Sequence, residues 1–245
     1  MPRFRTVLLD CDSTLSAIEG IDELAAHCRE EVAALTDAAM RGRIALEDVY
    51  GRRLELVRPT RAAVDALGRK YVERLVPDAR ETVAALQAAG VDVRVISGGL
   101  LPAVRAVADA VAIAPDRVAA VDIRFSAQGE YAGFDAASPL AATGGKRVAI
   151  ERWNVGRPAA MVGDGSTDLE ARPVVDLFVA FAGVIERPAV VNAADVIIRA
   201  NSLAPLLPLV VNVDELPTTS HRSVYHRGAA LGAAVTTSNH ATRNS

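Results

Sequence analysis

Histidine, cysteine and lysine are scarce in this sequence, and the first two scarcities exclude whole classes of chemistry. Three of the four histidines lie beyond residue 220, which leaves only His27 in a region with periodic patterning. A Ser-His-Asp hydrolase or a histidine-ligated metal site therefore lacks its parts. The two cysteines, Cys11 and Cys28, form neither a disulfide framework nor a CxxC metal site. Proton transfer must then depend on carboxylates.

Long apolar runs and basic blocks are also absent. The apolar stretch 203–213 is interrupted by two prolines and is far shorter than a membrane span. With a net charge of −3 and no basic cluster, neither nucleic acid nor a membrane is an expected partner. The N-terminus lacks the apolar length of a signal peptide. We therefore expect a soluble, cytoplasmic protein with reduced thiols, either a monomer or a homodimer.

The most informative motif follows a short apolar stretch near the N-terminus. Val7-Leu8-Leu9 indicates a buried parallel strand, and Asp10 and Asp12 come directly after it. Because side chains alternate along a strand, both carboxylates could project to the same side. Two buried carboxylates together are costly unless a cation or a reaction compensates their charge. Taken alone, the motif could also be a capped turn at the strand end.

The rest of the chain alternates strand and helix patterns, which predicts a doubly wound, mainly parallel α/β sheet of the Rossmann-like class. Strands are predicted over 91–96, 159–162, 177–181 and 196–198, a hairpin around Gln128-Gly129, and a helix over 145–153. Four amphipathic helical patterns without a strand come before them.

These patterns divide the chain into a catalytic core of residues 1–14 and 76–213 and an inserted helical cap of residues 15–75. Residues 214–245 are rich in Ser, Thr, Asn and His and lack periodicity, so we predict a largely disordered tail there.

Polar clusters follow three of the predicted strands: Asp10 with Asp12, Ser97-Gly98-Gly99, and Asp164 with Asp168. A parallel sheet brings such ends to one edge, where α/β proteins bind ligands. Asp10, Asp12 and Asp164 offer the hard oxygen ligands that suit Mg²⁺. The Ser97 hydroxyl and the N–H groups of the two glycines can donate to an anion there.

Lysine completes this set. Lys146, one of only two lysines, follows two glycines at the start of a predicted helix and can add a point charge. Acids, a metal ion, N–H donors and a lysine together indicate phosphoryl transfer through an aspartyl phosphate. Singly, each feature has a structural explanation as a turn, a loop or a solvated lysine. Their order and their shared position at strand ends favour a site.

These motifs resemble, in the same order, the four motifs of the haloacid-dehalogenase superfamily of phosphatases. The segments DSTLSAIEGIDELA, ISGGL, GEYAGFD, GGKR and GDGSTDLEA further resemble its phosphoserine phosphatase family, and the match runs from Val7 to Leu207. The resemblance implies Asp10 as nucleophile, Asp12 as general acid and base, and Mg²⁺ on Asp10, Asp164 and the carbonyl oxygen of Asp12.

The resemblance also assigns the remaining roles. It implies a catalytic Lys146, supporting residues Asp168 and Gly165, and hydrolysis of O-phosphoserine as the last step of serine biosynthesis. The implied substrate contacts are Glu19, Met40, Arg53, Ser97, Gly98 and Thr167. Two departures concern packing: Cys11 stands where an aromatic residue is usual, and Leu46 where a phenylalanine often packs on the substrate.

Several alternatives stay open. Glu19 could instead complete a capping box with Ser16, and Arg53, on the apolar face of its helix, could pair with an acid inside the cap. The substrate could be another small phosphomonoester, or the phosphoryl acceptor an alcohol such as homoserine. A phospho-acceptor signalling domain also uses clustered Asp and a Lys, but it needs no inserted helical cap. A degenerate binding protein is disfavoured because every catalytic position is filled.

Overall fold

The computed structural model describes residues 1–40 and 46–235, and this part of the chain contains nine strands. They are β1 (Thr6–Leu9), β2 (Asp92–Leu100), β3 (Val118–Val121), β4 (Ile123–Phe125), β5 (Tyr131–Phe134), β6 (Ala159–Gly163), β7 (Leu177–Phe181), β8 (Val196–Ile198) and β9 (Ala234–Val235). Seven form one sheet in the order β3-β2-β1-β6-β7-β8-β9. The other two, β4 and β5, form the predicted hairpin.

The sheet is parallel from β3 through β8, and only β9 runs antiparallel to its neighbour. Strand β1 lies between β2 and β6, with Thr6 opposite both Asp92 and Ala159. Its residues are completely buried, since apolar clusters cover both faces of the sheet. The prediction of a mainly parallel sheet is therefore confirmed. At its carboxyl edge β1 and β6 end almost level with each other, while β2 continues beyond the residue paired with Leu9, Val95, as far as Leu100.

Eleven α-helices occur in the same part of the chain. They are α1 (Gly20–Leu24), α2 (Arg29–Met40), α3 (Leu46–Val57), α4 (Arg61–Glu73), α5 (Ala79–Ala88), α6 (Leu101–Ala110), α7 (Gly145–Trp153), α8 (Ser166–Leu169), α9 (Pro188–Ala193), α10 (Leu207–Val210) and α11 (Thr219–Leu231). Helices α1 to α4 lie in the stretch predicted as a cap, and we use that name for them. Val64, Leu67 and Tyr71 of α4 join the main apolar cluster of the core.

The start of the cap differs from the predicted capping box. Helix α1 begins at Gly20, and the Glu19 side chain makes no cap hydrogen bond. The Ser16 hydroxyl instead donates to the main-chain oxygens of Tyr71, at 3.0 Å, and Arg74, at 3.3 Å. The capping-box interpretation is wrong because Ser16 fastens its loop to the end of α4, which leaves Glu19 free for other contacts.

The tail is the second difference. Residues 219–235, predicted to be disordered, form α11 and β9, and residues 236–245 lie outside the described part of the chain. Helix α11 buries Val224 and Gly228, and a Cβ at Gly228 would lie 2.1 Å from the Ala204 oxygen. The absence of a side chain at Gly228 lets α11 pack closely against the main chain at Ala204. Because this packing does not need an apolar stripe along the helix, hydrophobic periodicity did not indicate α11.

Among the described helices, none combines the length and the apolar character that crossing a membrane requires.

Candidate active site

Three carboxylates and one ammonium group meet at the carboxyl edge of the sheet. Asp10 directly follows β1, and its N–H donates to the Val162 oxygen of β6 at 3.0 Å, which aligns the ends of these two strands. Asp164 directly follows β6 and Asp168 lies on α8. Lys146, in the first turn of α7, has its Nζ 2.7 Å from Asp10 Oδ1 and also donates to Asp168 Oδ1. The sequence predicted this convergence.

The carboxylates form a set that could hold a metal ion. One oxygen each of Asp10, Asp164 and Asp168 lies within 4.8 Å of the others. Burial, and then the charge of Asp168, raise the pKa of Asp10 well above its usual range and that of Asp164 to about 6. Negative charge is thus in excess at this point despite the neighbouring cations. A hard divalent cation bound by these oxygens would relieve the repulsion, so the donor set fits such an ion.

Lys146 remains charged in this setting. Burial alone would lower the pKa of its ammonium group, but the carboxylates of Asp10 and Asp168 outweigh burial and raise it. Asp168 is itself held in place, because its Oδ2 accepts the Gly165 N–H at 2.9 Å. The lysine therefore supplies a fixed positive charge beside Asp10.

The second acid of the first motif has a separate environment. Asp12 Oδ1 accepts the Gly20 N–H at 2.7 Å and also the Tyr71 hydroxyl. Its Oδ2 faces Gly99, where an added Cβ would lie 3.1 Å from it. Burial raises the pKa of Asp12 to about 6. A carboxyl group with such a pKa can exchange a proton near neutral pH, as general acid–base catalysis requires.

The polar Ser97-Gly98-Gly99 segment lies within the last residues of β2, not in a turn after residue 96 as the sequence predicted. The buried Ser97 hydroxyl oxygen accepts the Gly99 N–H at 2.9 Å. The same Gly99 position adjoins both Ser97 Oγ and Asp12 Oδ2, each 3.1 Å from where its Cβ would be. The Gly98 oxygen accepts a hydrogen bond of 2.9 Å from the hydroxyl of Tyr50 on α3. This end of β2 thus lies next to Asp12 and under the cap.

These motifs have counterparts in known proteins. A model of haloacid dehalogenase-like hydrolases matches residues 4–173. The chain belongs to this family of hydrolases.

Within this family, the chain is similar to several phosphoserine phosphatases. The phosphoserine phosphatase of Bos taurus is 40% identical over 195 residues, which cover 77% of this chain and 86% of the relative. The chloroplastic phosphoserine phosphatase of Arabidopsis thaliana is 40% identical over 196 residues, and the match spans 77% of this chain and 66% of that protein. A solved structure of a substrate-bound phosphoserine phosphatase complex superposes with a TM-score of 0.69 at 26% identity, covering 84% of this hydrolase and 98% of that chain.

Glu19 lies at this edge of the hydrolase, in contact with a residue that sequence reasoning missed. Its Oε1 accepts the Ser13 hydroxyl at 2.8 Å and Arg187 Nη2 at 2.9 Å. Arg187 Nε in turn donates to Asp164 Oδ2 at 2.9 Å. Arg187 comes directly before Pro188, the first residue of α9, so the sequence around it indicates only the start of a helix. Only its position after the end of β7 hinted at the site.

Arg53 contacts another part of the cap. Its Nη2 lies 2.7 Å from Asp22 Oδ1. The alternative prediction was an acid inside the helical bundle; the partner is an acid of the cap, but the Asp22 side chain is 58% exposed. Among the described residues, the buried Arg53 Nε has no hydrogen-bond partner. Its role in binding substrate stays a prediction.

The other predicted contacts are placed less fully. Thr167 is exposed on α8, close to the Gly165 turn. Met40 ends α2 and Leu46 begins α3, and both side chains lie outside what the structure describes. Cys11 is buried in the apolar cluster beneath the site. Its thiol thus fills space in the core.

Proposed function

We propose that this hydrolase removes the phosphoryl group of O-phosphoserine through a covalent phosphoryl–Asp10 intermediate and releases serine and phosphate. The observation that supports this most is the buried Asp10 carboxylate, 2.7 Å from the Lys146 ammonium and beside two further acids. A carboxylate nucleophile needs charge compensation for the incoming phosphoryl group, and this arrangement provides it. The names of the relatives supply the substrate class.

In the first half-reaction, Asp10 attacks phosphorus in line with the leaving serine oxygen. The Lys146 ammonium, the Ser97 hydroxyl and the Gly98 N–H bind the phosphoryl oxygens and stabilise the charge that develops on them. A divalent cation, for which we propose Mg²⁺ on Asp10, Asp164 and the Asp12 carbonyl oxygen, would act as a Lewis acid on the phosphoryl group when bound. Asp168 and Gly165 hold Lys146 and the α8 turn in place.

Asp12 moves the proton in both half-reactions. It donates to the serine oxygen as the P–O bond breaks, and it then accepts a proton from the water that attacks the phosphoryl–Asp10 ester. General acid–base catalysis of this kind contributes about 10²–10⁴ in rate. The two acids of one short motif thus have different roles because their partners differ.

Substrate recognition belongs to the cap. We assign the substrate ammonium to Glu19, an acid at the carboxyl edge whose Oε1 accepts from Ser13 and Arg187, and the substrate carboxylate to Arg53. Arg53 is paired with Asp22. To bind the substrate carboxylate, the Arg53 guanidinium must therefore either release Asp22 or make a bidentate contact with the substrate while it keeps Asp22. Met40 and Thr167 are the remaining proposed contacts, the latter near the phosphate.

The test is phosphate release from O-phosphoserine by the purified chain, with Mg²⁺ present and after its removal by a chelator. Asp10→Asn should abolish turnover, whereas Asp109→Asn, an exposed acid on α6, should leave it unchanged. Phosphate release by Asp10→Asn at the rate of the unaltered protein would exclude this nucleophile. A panel of other phosphomonoesters, with and without homoserine as acceptor, identifies the alternative substrates and acceptors.

Both cysteines are unpaired and buried, as is usual in a reducing compartment. We propose the cytoplasm as the location, which cell fractionation tests.

A further inference from the structure

We propose that Tyr71 is a positioning residue that holds Asp12 by Oδ1, so that Oδ2 is the oxygen that gives and takes the proton. The inference rests on the proposed function, since it assigns a positioning residue to the same reaction. It starts from the contacts of a tyrosine that no motif includes.

Tyr71 is completely buried in the last turns of α4, and its ring packs in the main apolar cluster. A buried tyrosine hydroxyl needs a hydrogen-bond partner. Here that partner is Asp12 Oδ1, to which the hydroxyl donates from 59 residues further along the chain. The contact therefore joins the end of the cap to the first motif of the core.

The same oxygen has a second donor. The Gly20 N–H, at the start of α1, donates to Asp12 Oδ1 at 2.7 Å. A Cβ at Gly20 would lie 1.9 Å from the Tyr71 hydroxyl oxygen, so only glycine at this position leaves room for the tyrosine. The loop after the first motif and the end of α4 thus fit each other around one carboxylate oxygen.

Two donors on Oδ1 have a consequence for the other oxygen. The proton of a carboxylic acid cannot lie on an oxygen at which two donors already point, so it resides on Oδ2. Oδ2 faces Gly99 and Ser97 at the end of β2, the direction from which phosphate would be bound. Without the tyrosine hydroxyl, Oδ1 keeps only the Gly20 N–H of the two donors that the described residues give it, so rotation about the Cβ–Cγ bond of Asp12 is less restrained and the acid is less often aligned with the leaving oxygen.

The experiment compares two leaving groups on the same protein preparation. The serine oxygen must be protonated as it leaves, whereas the nitrophenolate of 4-nitrophenyl phosphate departs without a proton. We would measure the rate constant of the first phosphoryl transfer by rapid quench for O-phosphoserine and by the nitrophenolate burst for the aryl ester. Because misplacement of a catalytic group by about 1 Å can cost about 10²-fold in rate, Tyr71→Phe should slow the serine ester about tenfold or more. The aryl ester should change less than about twofold, since its transition state needs no proton donor.

Tyr131→Phe is the matched control, because it removes a hydroxyl from another buried ring, in β5. It should leave both rate constants unchanged. The ratio of the two rate constants does not depend on the folded fraction of the variant, so reduced stability cannot imitate the expected result.

Two outcomes for Tyr71→Phe would overturn the inference and leave the proposed function intact. Equal slowing of both esters would mean that Tyr71 only supports the fold, and unchanged rates for both would mean that its hydroxyl is dispensable. If the unaltered chain cleaves the aryl ester but not O-phosphoserine, both proposals fail together, and this is seen before any variant is compared.

Discussion

Replacing Lys146 by methionine should destabilise the fold more than any surface substitution of the same kind. Methionine keeps most of the side-chain volume but removes the positive charge. The Lys146 side chain is only 4% exposed and lies between Asp10 and Asp168, whose side chains are 9% and 0% exposed. Removing the cation leaves two buried carboxylates facing each other.

The size of the effect follows from this geometry. Two unit charges 2.7 Å apart attract by about 6 kcal/mol at an effective dielectric constant of about 20. Desolvation of the charges offsets much of this attraction, and truncation of one partner of a buried ion pair usually costs about 3–5 kcal/mol. We expect a loss in this range for Lys146→Met at neutral pH in metal-free buffer.

The assay is urea unfolding with a chelator present. Lys70→Met is the matched control, since this is the other lysine of the chain and its pair with Glu23 is half-exposed. Its loss should stay below about 1 kcal/mol. Adding Asp10→Asn to Lys146→Met should recover part of the lost stability because one of the facing charges disappears. Equal losses for the two lysine variants, or strictly additive effects in the double variant, would refute the reasoning.

Two further predictions concern other parts of the molecule. Burial acts to raise the pKa of Asp78, but hydrogen bonds from Ser202, at 2.6 Å, and Arg227, at 2.7 Å, outweigh it and lower the pKa below 3.8. The stabilisation by the Asp78 carboxylate is therefore present above the pKa of the unfolded chain and is lost as the pH falls through the pKa of the folded state. Asp78→Asn should lower the free energy of unfolding by about 1 kcal/mol at pH 7 and by progressively less below pH 4, as urea midpoints would show. A stability difference between the two proteins that does not change with pH would contradict this. Tyr50→Phe removes the hydrogen bond to the Gly98 oxygen and should raise KM for O-phosphoserine about two- to tenfold with kcat little changed, while an unchanged KM would show that this contact does not assist binding.

The parallel sheet could be predicted because its strands are buried on both faces. Such strands appear in the sequence as unbroken apolar runs, and the predicted bounds 177–181 and 196–198 are those of β7 and β8. Helix α11 could not be predicted in this way. It is stabilised by a glycine contact and by the Arg227–Asp78 pair, which joins residues 149 positions apart.

The acids of the candidate site that we propose to react could be predicted for a related reason. Asp10 and Asp164 directly follow strands, and parallel strands bring their ends to one edge whatever lies between them in the chain. For Arg53 the sequence left two possible partners, the substrate carboxylate and an acid of the cap. The structure shows Asp22, a choice that depends on how α1 and α3 pack and therefore on no local pattern.

The side chains that contact the acids of the candidate site from distant elements could not be predicted from the motifs. Tyr71 and Arg187 reach Asp12 and Glu19 across 59 and 168 residues. A positioning side chain needs only a donor of the right reach, so any element near the site can supply it and its residue type is weakly constrained. The motifs therefore indicate the groups that we propose to react, but not the side chains that contact those groups. In this hydrolase the contact to Asp12 comes from the end of the cap, and the contacts to Glu19 and Asp164 come from the residue before α9, so the positions of these acids depend on how those elements pack on the core.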